Sequence, residues 1–235
     1  MIPKKIHYCW FGRGEKPKLA KKCIASWEKY CPDYEIVEWN EDNFDLNKNE
    51  YVKYCYENKK WAYLSDYVRL DVVADNGGIY FDTDVEVIKS FDDLLKYEAF
   101  YGFENKEYVA SGLGFGSIAH HKTIEVMREQ YYNFKKDVNG KLEFIGCPIL
   151  NTKALLELGL KQTGKRQNIC GAEILPIDVL NPYENSTGKL QKREDTHSIH
   201  WYAKSALGWK AKIRSKITRP FHRVFGEDCF KKVRR

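Results

Sequence analysis

The sequence predicts an α/β fold in which a central, mostly parallel sheet is covered by helices. Short runs typical of strands, at residues 4–10, 34–39 and 79–81, alternate with longer runs typical of helices, at residues 17–30 and 60–76. Such alternation is the pattern of strands joined by crossover helices. The chain has 235 residues, 43% of them hydrophobic, which is enough to bury one substantial core.

The first strand and the elements after it are visible in the spacing of apolar residues. The run KKIHYCW at residues 4–10 is rich in β-forming side chains and is bounded by Pro3 and Gly12. Residues 17–30 have apolar side chains at helical spacing. The alternating run YEIVEW at residues 34–39 predicts a second strand.

A long helix is predicted at residues 60–76, and it is stopped by Gly77-Gly78. Asp66 and Arg69 lie three residues apart in it, so both side chains share one helix face. This pair is either an ion pair on the helix surface or a functional pair facing a ligand. IYF at residues 79–81 then predicts a short buried strand.

The second half of the chain continues the alternation less regularly. AFYGFE at residues 99–104 and the glycine-punctuated ASGLGFGS at residues 110–117 predict further strands or loops. Helices are predicted at residues 122–134 and 152–160. No internal repeat divides the chain.

Two aspartates, Asp82 and Asp84, directly follow the buried run at residues 79–81. Aspartates favour strand ends because they bond to their own backbone, so a simple turn is one reading. Open α/β sheets also bind ligands at the carboxyl ends of strands, where two carboxylates suit Mg²⁺ or Mn²⁺ and a diphosphate. A third reading is the DxDx[TV] motif of phosphohydrolases, with Asp82 as the nucleophile.

The composition favours a reduced, intracellular protein. No apolar run approaches the roughly 18 residues that span a bilayer, and the first residues lack the apolar stretch of a secretory signal. The seven cysteines are odd in number and scattered, with no pairing typical of zinc sites or disulfide frameworks. We therefore expect free, mostly buried thiols and a cytoplasmic location.

The C-terminal segment differs in charge from the rest of the chain. Residues 209–235 carry ten Lys or Arg residues against Glu227 and Asp228, a net charge of +8, so the rest of the chain contributes −2 to the overall +6. Apolar residues recur every four positions among these cations, which is typical of a basic amphipathic stretch on an anionic membrane surface. Packing of this tail against the rest of the chain is the alternative. The nearly neutral body and the lack of a known motif argue against nucleic-acid binding.

Residues 64–88, LSDYVRLDVVADNGGIYFDTDVEVI, resemble the signature of the DXD-containing sugar transferases of glycosyltransferase family 32. The elements S-D-x-x-R, G-G-x-Y and D-x-D occur in the family's order. The opening IPKKIHYCWFG is similar to the family's first strand, and SIHWYAKS at residues 198–205 to a late segment. The sequence departs from the family at Ser205-Ala206, where members often have Ser-Trp.

This resemblance implies a GT-A (Rossmann-like nucleotide-sugar-binding) fold over residues 1–208, followed by a basic helical tail at residues 209–235. It implies that the site residues contact a nucleotide sugar and Mn²⁺ or Mg²⁺. Asp84 would hold the metal with Asp82, and His200, or His197, would be the late ligand. The remaining implied contacts to the donor are Asp66 and Arg69 at the sugar and phosphate, Trp10 at the base, and Tyr80 as support beside Asp82.

The activity implied is transfer of a hexose, with retention of anomeric configuration, from a UDP-sugar to a glycan. The resemblance further suggests a lipid-linked acceptor in bacterial capsule or lipopolysaccharide synthesis, on the inner face of the cell membrane. No carboxylate in the sequence identifies itself as a covalent nucleophile. An aspartyl-phosphate phosphohydrolase and a non-catalytic peripheral membrane protein are the rival functions.

Overall fold

The computed structural model describes residues 1–132, 134–135, 137–138, 141–203, 218–224 and 229. The expectations for Ser205 and Ala206 lie outside the described residues. The same is true of most of the predicted basic tail at residues 209–235.

A seven-stranded sheet forms the centre of the molecule. Its strands are β1 (Lys5–Cys9), β2 (Glu35–Trp39), β3 (Gly78–Tyr80), β5 (Ala99–Gly102), β6 (Phe115–Ser117), β7 (Gln167–Ile169) and β8 (Ala172–Leu175). Across the sheet they lie in the order β2-β1-β3-β6-β5-β8-β7. The remaining strands, β4 (Val85–Val87), β9 (Tyr183–Glu184), β10 (Lys189–Leu190) and β11 (Ser198–His200), form two separate pairs.

The α/β fold class is confirmed, but the sheet is mixed rather than mostly parallel. Strands β2, β1 and β3 are parallel to one another, as are β5 and β8. Strand β6 lies antiparallel between β3 and β5, and β7 is antiparallel to β8. The glycine-rich segment at residues 110–117 supplies β6 after a single 3₁₀ turn at Ser111–Leu113. No crossover α-helix lies between β5 and β6, so the expected parallel order is broken at this point.

Helices cover both faces of the sheet. They are α1 (Lys18–Tyr30), α2 (Glu50–Glu57), α3 (Trp61–Asn76), α4 (Lys122–Glu129), α5 (Cys147–Glu157) and α6 (Ile177–Leu180). The side chain of Asn49 caps α2 by accepting a hydrogen bond from the backbone N–H of Val52. Helix α5 begins five residues before the predicted start at 152, because Pro148 suits the first helical turn.

Two apolar cores lie on opposite faces of the sheet, as the period-two geometry of a strand requires. In β1, Ile6 and Tyr8 point into one core with Trp27 of α1, whereas Cys9 points into the other core. Helices α2 to α5 pack on the face that includes Cys9. The cysteines are free thiols, five of them buried, which confirms the expectation from their spacing.

A tight glycine turn connects α3 to β3 and sets the direction of the strand that leads to the aspartates. Gly77 has φ +66° and Gly78 has φ +113°, conformations that L side chains rarely adopt. A Cβ on Gly78 would lie 2.8 Å from the carbonyl oxygen of Lys5 and 2.9 Å from Nε2 of His7. This contact needs glycine, because β1 and the turn touch through their backbones.

The His7 side chain fastens this turn to the sheet. Its Nε2 is 2.9 Å from the carbonyl oxygen of Gly77, and its Nδ1 is 3.0 Å from Nε1 of Trp39. Since the indole N–H can only donate, Nδ1 accepts and the proton is on Nε2. Burial lowers the pKa of His7 to about 4, so the imidazole is neutral at pH 7.

The C-terminal residues 218–224 form a helical segment on the β9–β10 hairpin. Arg219 donates to the backbone oxygen of Asn185, and Arg223 donates to the backbone oxygens of Thr187 and Gly188. Two of the basic residues of the tail are therefore engaged with the domain. Within the described ranges, no helix is both long enough and apolar enough to cross a bilayer.

Candidate active site

A cavity of about 550 Å³ opens beside the carboxyl ends of β1 and β3. Strand β1 ends at Cys9, directly before Trp10, and β3 ends at Tyr80, two residues before Asp82. This edge of a parallel pair is where α/β sheets bind ligands. The cavity is lined by every site residue that the sequence predicts: Trp10, Asp66, Arg69, Tyr80, Asp82, Asp84 and His200.

Asp82, Asp84 and His200 form one cluster at the cavity wall. One potential ligand atom from each lies within 4.8 Å of the other two. The antiparallel pair β4–β11 creates this closeness, because His200 pairs with Val85 in its register. His200 Nε2 is then 3.2 Å from Oδ1 of Asp84.

The backbone after β11 also holds Asp84. The N–H of Trp201 donates to the backbone oxygen of Asp84 at 3.0 Å, and the N–H of Ala203 donates to its Oδ2 at 2.7 Å. Burial by itself would raise the pKa of Asp84, but the His200 ring and the backbone N–H groups of Ala203 and of Asp84 itself lower it below its ordinary value. Asp84 is therefore an ionised carboxylate, fixed in orientation from two sides.

The cluster fits a hard divalent cation. Two carboxylates and an imidazole are ligands that Mn²⁺ and Mg²⁺ accept, with open positions left for phosphate oxygens. Nδ1 of His200 is buried and has no hydrogen-bond partner among the described residues. A buried polar atom without a partner is uncommon and is consistent with a ligand that completes the site.

Arg69 occupies the space between two acidic side chains. Its Nη2 lies 2.9 Å and 3.2 Å from the two carboxylate oxygens of Asp82, and its Nη1 lies 3.1 Å from Oδ1 of Asp66. Only 4% of the Arg69 side chain is exposed, so this is a buried ion cluster and not a pair on the helix surface. The guanidinium therefore balances the charge of Asp82, whereas the side chain that contacts Asp84 is His200.

Burial raises the pKa of both carboxyl groups that contact Arg69. For Asp66 the pKa rises to about 6, even though the Arg69 charge lowers it. For Asp82 the pKa is also raised, with Arg69 again acting in the opposite direction. The aspartates of the D-x-D motif are therefore not equivalent, since the pKa of Asp84 is lowered.

Tyr80 and Gly112 complete the support of Asp82. The Tyr80 hydroxyl donates to Oδ1 of Asp82 at 3.0 Å, and the Arg69 guanidinium lies 5.2 Å from the Tyr80 ring centroid. A Cβ on Gly112 would lie 2.7 Å from Oδ2 of Asp82. The glycine-rich segment at residues 110–117 therefore passes close to the carboxylate that Arg69 binds.

Trp10 lines the cavity from the side of β1 and is half-buried. Its Nε1 donates to the backbone oxygen of Gly14 at 2.6 Å, which fixes the plane of the indole. Lys16 Nζ lies 5.6 Å from the Trp10 ring. The ring thus belongs to the cavity surface as well as to the core margin, and an aromatic base could stack on it.

His197 does not belong to the cluster. Its Nδ1 is 2.8 Å from the backbone oxygen of Ser90, and its ring packs on Phe91 at a centroid distance of 5.2 Å. Its Nε2 lies 3.5 Å from Oδ2 of Asp93, so of the two histidines that the sequence leaves open only His200 reaches the D-x-D aspartates.

Sequence reasoning missed three residues beside the cluster: Glu104, Tyr202 and Asn181. Glu104 lines the cavity, and burial raises its pKa. The Tyr202 ring packs on His200 with ring centroids 4.0 Å apart and the ring planes tilted by 48°, and the Tyr202 φ of +50° is unusual for a residue with a side chain. Asn181 donates to the Tyr202 hydroxyl at 2.7 Å. No local motif marks these residues, because they meet only through the fold.

Residues 17–101 match the family model described as "Glycosyltransferase sugar-binding region containing DXD motif". This stretch includes Asp66, Arg69, Asp82 and Asp84. Residues 17–101 are therefore similar to the DXD-containing sugar-binding region of these glycosyltransferases, as the resemblance seen in the sequence predicts. Inositol phosphoceramide mannosyltransferase 3 of Schizosaccharomyces pombe is 30% identical over 106 residues, which is 42% of this chain and 28% of that protein's length.

Three solved structures have related shapes. The PaToxG glycosyltransferase is 21% identical with a TM-score of 0.49, and the likeness covers 66% of this chain and 68% of that one. A glycosyltransferase involved in glycosylation of the major capsid of PBCV-1 is 12% identical with a TM-score of 0.46, covering 91% and 98%. The galactosyltransferase LgtC, bound to donor and acceptor sugar analogues, is 12% identical with a TM-score of 0.44, covering 92% and 95%.

Proposed function

We propose that this chain is a divalent-metal-dependent glycosyltransferase of the GT-A type that transfers a hexose from a UDP-sugar to a glycan hydroxyl. The observation that carries the proposal is the Asp82–Asp84–His200 cluster, whose ligand atoms lie within 4.8 Å in a cavity that Trp10 also lines. A cation-binding group and an aromatic ring in one cavity match the two ends of a nucleoside diphosphate.

In this proposal Trp10 stacks on the base and the cluster holds the diphosphate. Asp84 is the principal metal ligand, because its carboxylate is ionised and points at His200. Asp82 faces the ribose and the metal, with its charge balanced by Arg69. Asp66 and Arg69 line the cavity farther along, where they contact the donor sugar.

The bound cation supplies Lewis-acid stabilisation of the charge that develops on the departing diphosphate. The residues of the chain contribute orientation: His200 and Ala203 fix Asp84, whereas Arg69 and Tyr80 fix Asp82. We propose retention of anomeric configuration without a glycosyl-enzyme adduct. A glycosyl-enzyme trapped on any carboxylate and detected by mass spectrometry would contradict this part.

The geometry disfavours the phosphohydrolase alternative. An aspartyl-phosphate enzyme needs an Asp82 oxygen free to attack phosphorus. Both oxygens of Asp82 instead accept hydrogen bonds from Arg69, and Oδ1 also accepts one from Tyr80. A carboxylate engaged in this way is a poor nucleophile.

A donor screen tests the proposal directly. UDP- and GDP-linked hexoses are incubated with the protein in Mn²⁺ or in EDTA, and release of nucleoside diphosphate is measured. We expect hydrolysis or transfer only with Mn²⁺ and with UDP-sugars, and its loss in Asp84→Ala. Activity that persists in EDTA, or release of inorganic phosphate that depends on Asp82 more than on Asp84, would contradict the proposal.

The two histidines provide a matched pair of variants for the late metal ligand. His200→Asn removes the ring that faces Asp84, whereas His197→Asn alters a ring bonded to Ser90. We expect weaker Mn²⁺ binding only in the first variant, measured by electron paramagnetic resonance of free Mn²⁺. Equal losses in both variants would contradict the assignment of His200.

We further propose that the acceptor is lipid-linked and belongs to a bacterial surface polysaccharide, and that the chain acts at the cytoplasmic face of the membrane. The supporting observation is the charge of residues 209–235. Arg219 and Arg223 are engaged with the β9–β10 hairpin, so the membrane contact would come from the other basic residues of the tail.

Vesicle flotation tests the membrane proposal. Wild-type protein is compared with a full-length variant that carries Lys231→Glu, Lys232→Glu, Arg234→Glu and Arg235→Glu. We expect the wild type to float with phosphatidylglycerol vesicles and not with phosphatidylcholine vesicles, and the variant to float with neither. Equal flotation of both proteins would contradict a role for the tail.

A further inference from the structure

A second cavity of about 870 Å³ adjoins the candidate donor cavity. The two cavities share a wall, because Glu104 and Tyr202 line both of them. The Tyr202 hydroxyl lies 3.4 Å from Oε1 of Glu104, and the Tyr202 ring packs on His200 in a tilted arrangement. The Glu104 carboxylate is therefore accessible to a molecule in either cavity.

The wall between the cavities contains an unsatisfied amide. Asn181 is 5% exposed, and its Nδ2 donates to the Tyr202 hydroxyl at 2.7 Å and to the backbone oxygen of Glu104 at 3.2 Å. Its Oδ1 is buried without a partner among the described residues. Because Asn181 lines the second cavity, a ligand hydroxyl there could donate to this oxygen.

The rest of the lining is typical of a surface that binds sugars. Amide side chains supply both donors and acceptors, and the hydroxyl of the half-buried Tyr202 adds a further polar group. Two of the basic residues are already paired, Arg166 with Glu173 and Arg193 with Asp178. The amides are Asn105, Asn181, Asn185 and Gln191.

We propose that the second cavity binds the acceptor as a hydroxyl-rich sugar ring, with Asn181 Oδ1 and the Glu104 carboxylate accepting hydrogen bonds from its hydroxyls. The inference rests on the glycosyltransferase function proposed above. In the transfer, the bond from the sugar C1 to the diphosphate oxygen breaks and its electron pair leaves with the diphosphate. The acceptor oxygen forms the new bond to C1, and its proton passes to the departing diphosphate. Glu104 orients the hydroxyl that attacks.

Ligand-detected NMR tests the location of the acceptor. The full chain is loaded with UDP and Mg²⁺, and saturation transfer is measured to the methyl glycosides of glucose, galactose and mannose. Gln191→Trp narrows the second cavity at an exposed position, and Lys153→Trp places the same side chain on exposed helix α5, outside both cavities.

We expect at least one glycoside to show saturation transfer with the wild type and with Lys153→Trp, and a loss of threefold or more with Gln191→Trp. The UDP signal stays the same in all three proteins. If UDP binds but no glycoside does, or if Gln191→Trp leaves the glycoside signal unchanged, the acceptor assignment is wrong and the donor proposal stands. If UDP does not bind, the proposed function itself fails.

Steady-state kinetics test the role of Glu104. With the glycoside that gives the strongest signal as acceptor, Glu104→Gln keeps the shape of the wall but weakens its hydrogen-bond acceptor. We expect kcat for transfer to fall by about tenfold or more, with KM for the donor changed by less than about threefold. An unchanged kcat would overturn the positioning role of Glu104.

Discussion

Arg69 is the side chain on which the charge balance of the candidate site depends, and its removal should lower the free energy of unfolding by a measurable amount. In Arg69→Met, the carboxylates of Asp66 and Asp82 lose their cation, at present 3.1 Å and 2.9 Å away. Their side chains are only 13% and 25% exposed, so water replaces the lost partner poorly. Breaking a fully buried ion pair costs about 3–5 kcal/mol. Because Asp82 borders the cavity and is partly reached by water, we expect Arg69→Met to lose about 3 kcal/mol of unfolding free energy, the low end of this range.

Urea unfolding at pH 7.5, followed by tryptophan fluorescence, measures this cost. Arg69→Lys keeps the charge but loses the fork that reaches both carboxylates, so we expect a loss of about 1–2 kcal/mol. Arg13→Met, which removes an exposed ion pair with Asp42, is the matched control and should leave the unfolding midpoint unchanged.

The stability lost on removing Arg69 should depend on the charges of Asp66 and Asp82, the two carboxylates that it contacts. Adding Asp66→Asn to Arg69→Met removes one of the two orphaned charges and should recover part of the lost stability. A loss below about 1 kcal/mol for Arg69→Met, or no recovery in the double variant, would refute the view that Arg69 compensates these carboxylates.

Two further predictions concern residues that support the site. His7 is neutral in the fold with a pKa lowered to about 4 by burial, whereas in the unfolded chain it takes a proton near 6.5. The contribution of neutral His7 to the free energy of unfolding is therefore present above pH 6.5, and about 3 kcal/mol is lost as the pH falls toward 4. The urea midpoints measured at pH 7 and at pH 4.5 should differ less in His7→Gln than in the wild type. An equal difference in the two proteins would contradict this. Gly112→Ala places a Cβ 2.7 Å from Asp82 and should weaken Mn²⁺-dependent UDP binding by about tenfold, while Gly14→Ala, where a Cβ meets nothing within 4 Å, changes it little. Equal affinities of the two glycine variants for UDP in the presence of Mn²⁺ would contradict the view that Gly112 must lack a side chain beside Asp82.

Much of the first half of the fold is readable from local sequence patterns. The runs predicted at residues 4–10, 17–30, 34–39 and 60–76 correspond to β1, α1, β2 and α3, with ends displaced by one residue or little more. Their apolar spacing is strong and their boundaries carry proline or glycine. The antiparallel placement of β6 was not predictable in this way, because strand direction depends on pairing between segments distant in the chain.

The candidate site likewise contains residues that the sequence could predict and one choice that required the folded structure. Asp66, Arg69, Asp82 and Asp84 lie within one continuous motif, and the resemblance of that motif to the DXD-containing sugar transferases implied that they share one site. The choice of His200 over His197 required the register of β4 with β11, which no spacing along the chain reveals.

The second cavity was not foreseen, because its shared wall joins residues from separate parts of the chain. Glu104, Asn181 and Tyr202 meet only in the folded protein. The spacing of apolar side chains along the sequence predicts which residues are buried in the core, but it carries no information about polar contacts between residues that are far apart in the chain.

Calorimetric titration of UDP in the presence and absence of Mn²⁺ tests the central claim most directly. We predict that Mn²⁺ tightens UDP binding to the wild type by about tenfold or more, about 1.4 kcal/mol, and that Asp84→Asn abolishes this gain. Asp195→Asn, at an exposed position outside the cavity, should retain it. UDP affinity that does not respond to Mn²⁺, or that responds equally in Asp84→Asn, would contradict a metal-dependent nucleotide site at the D-x-D motif.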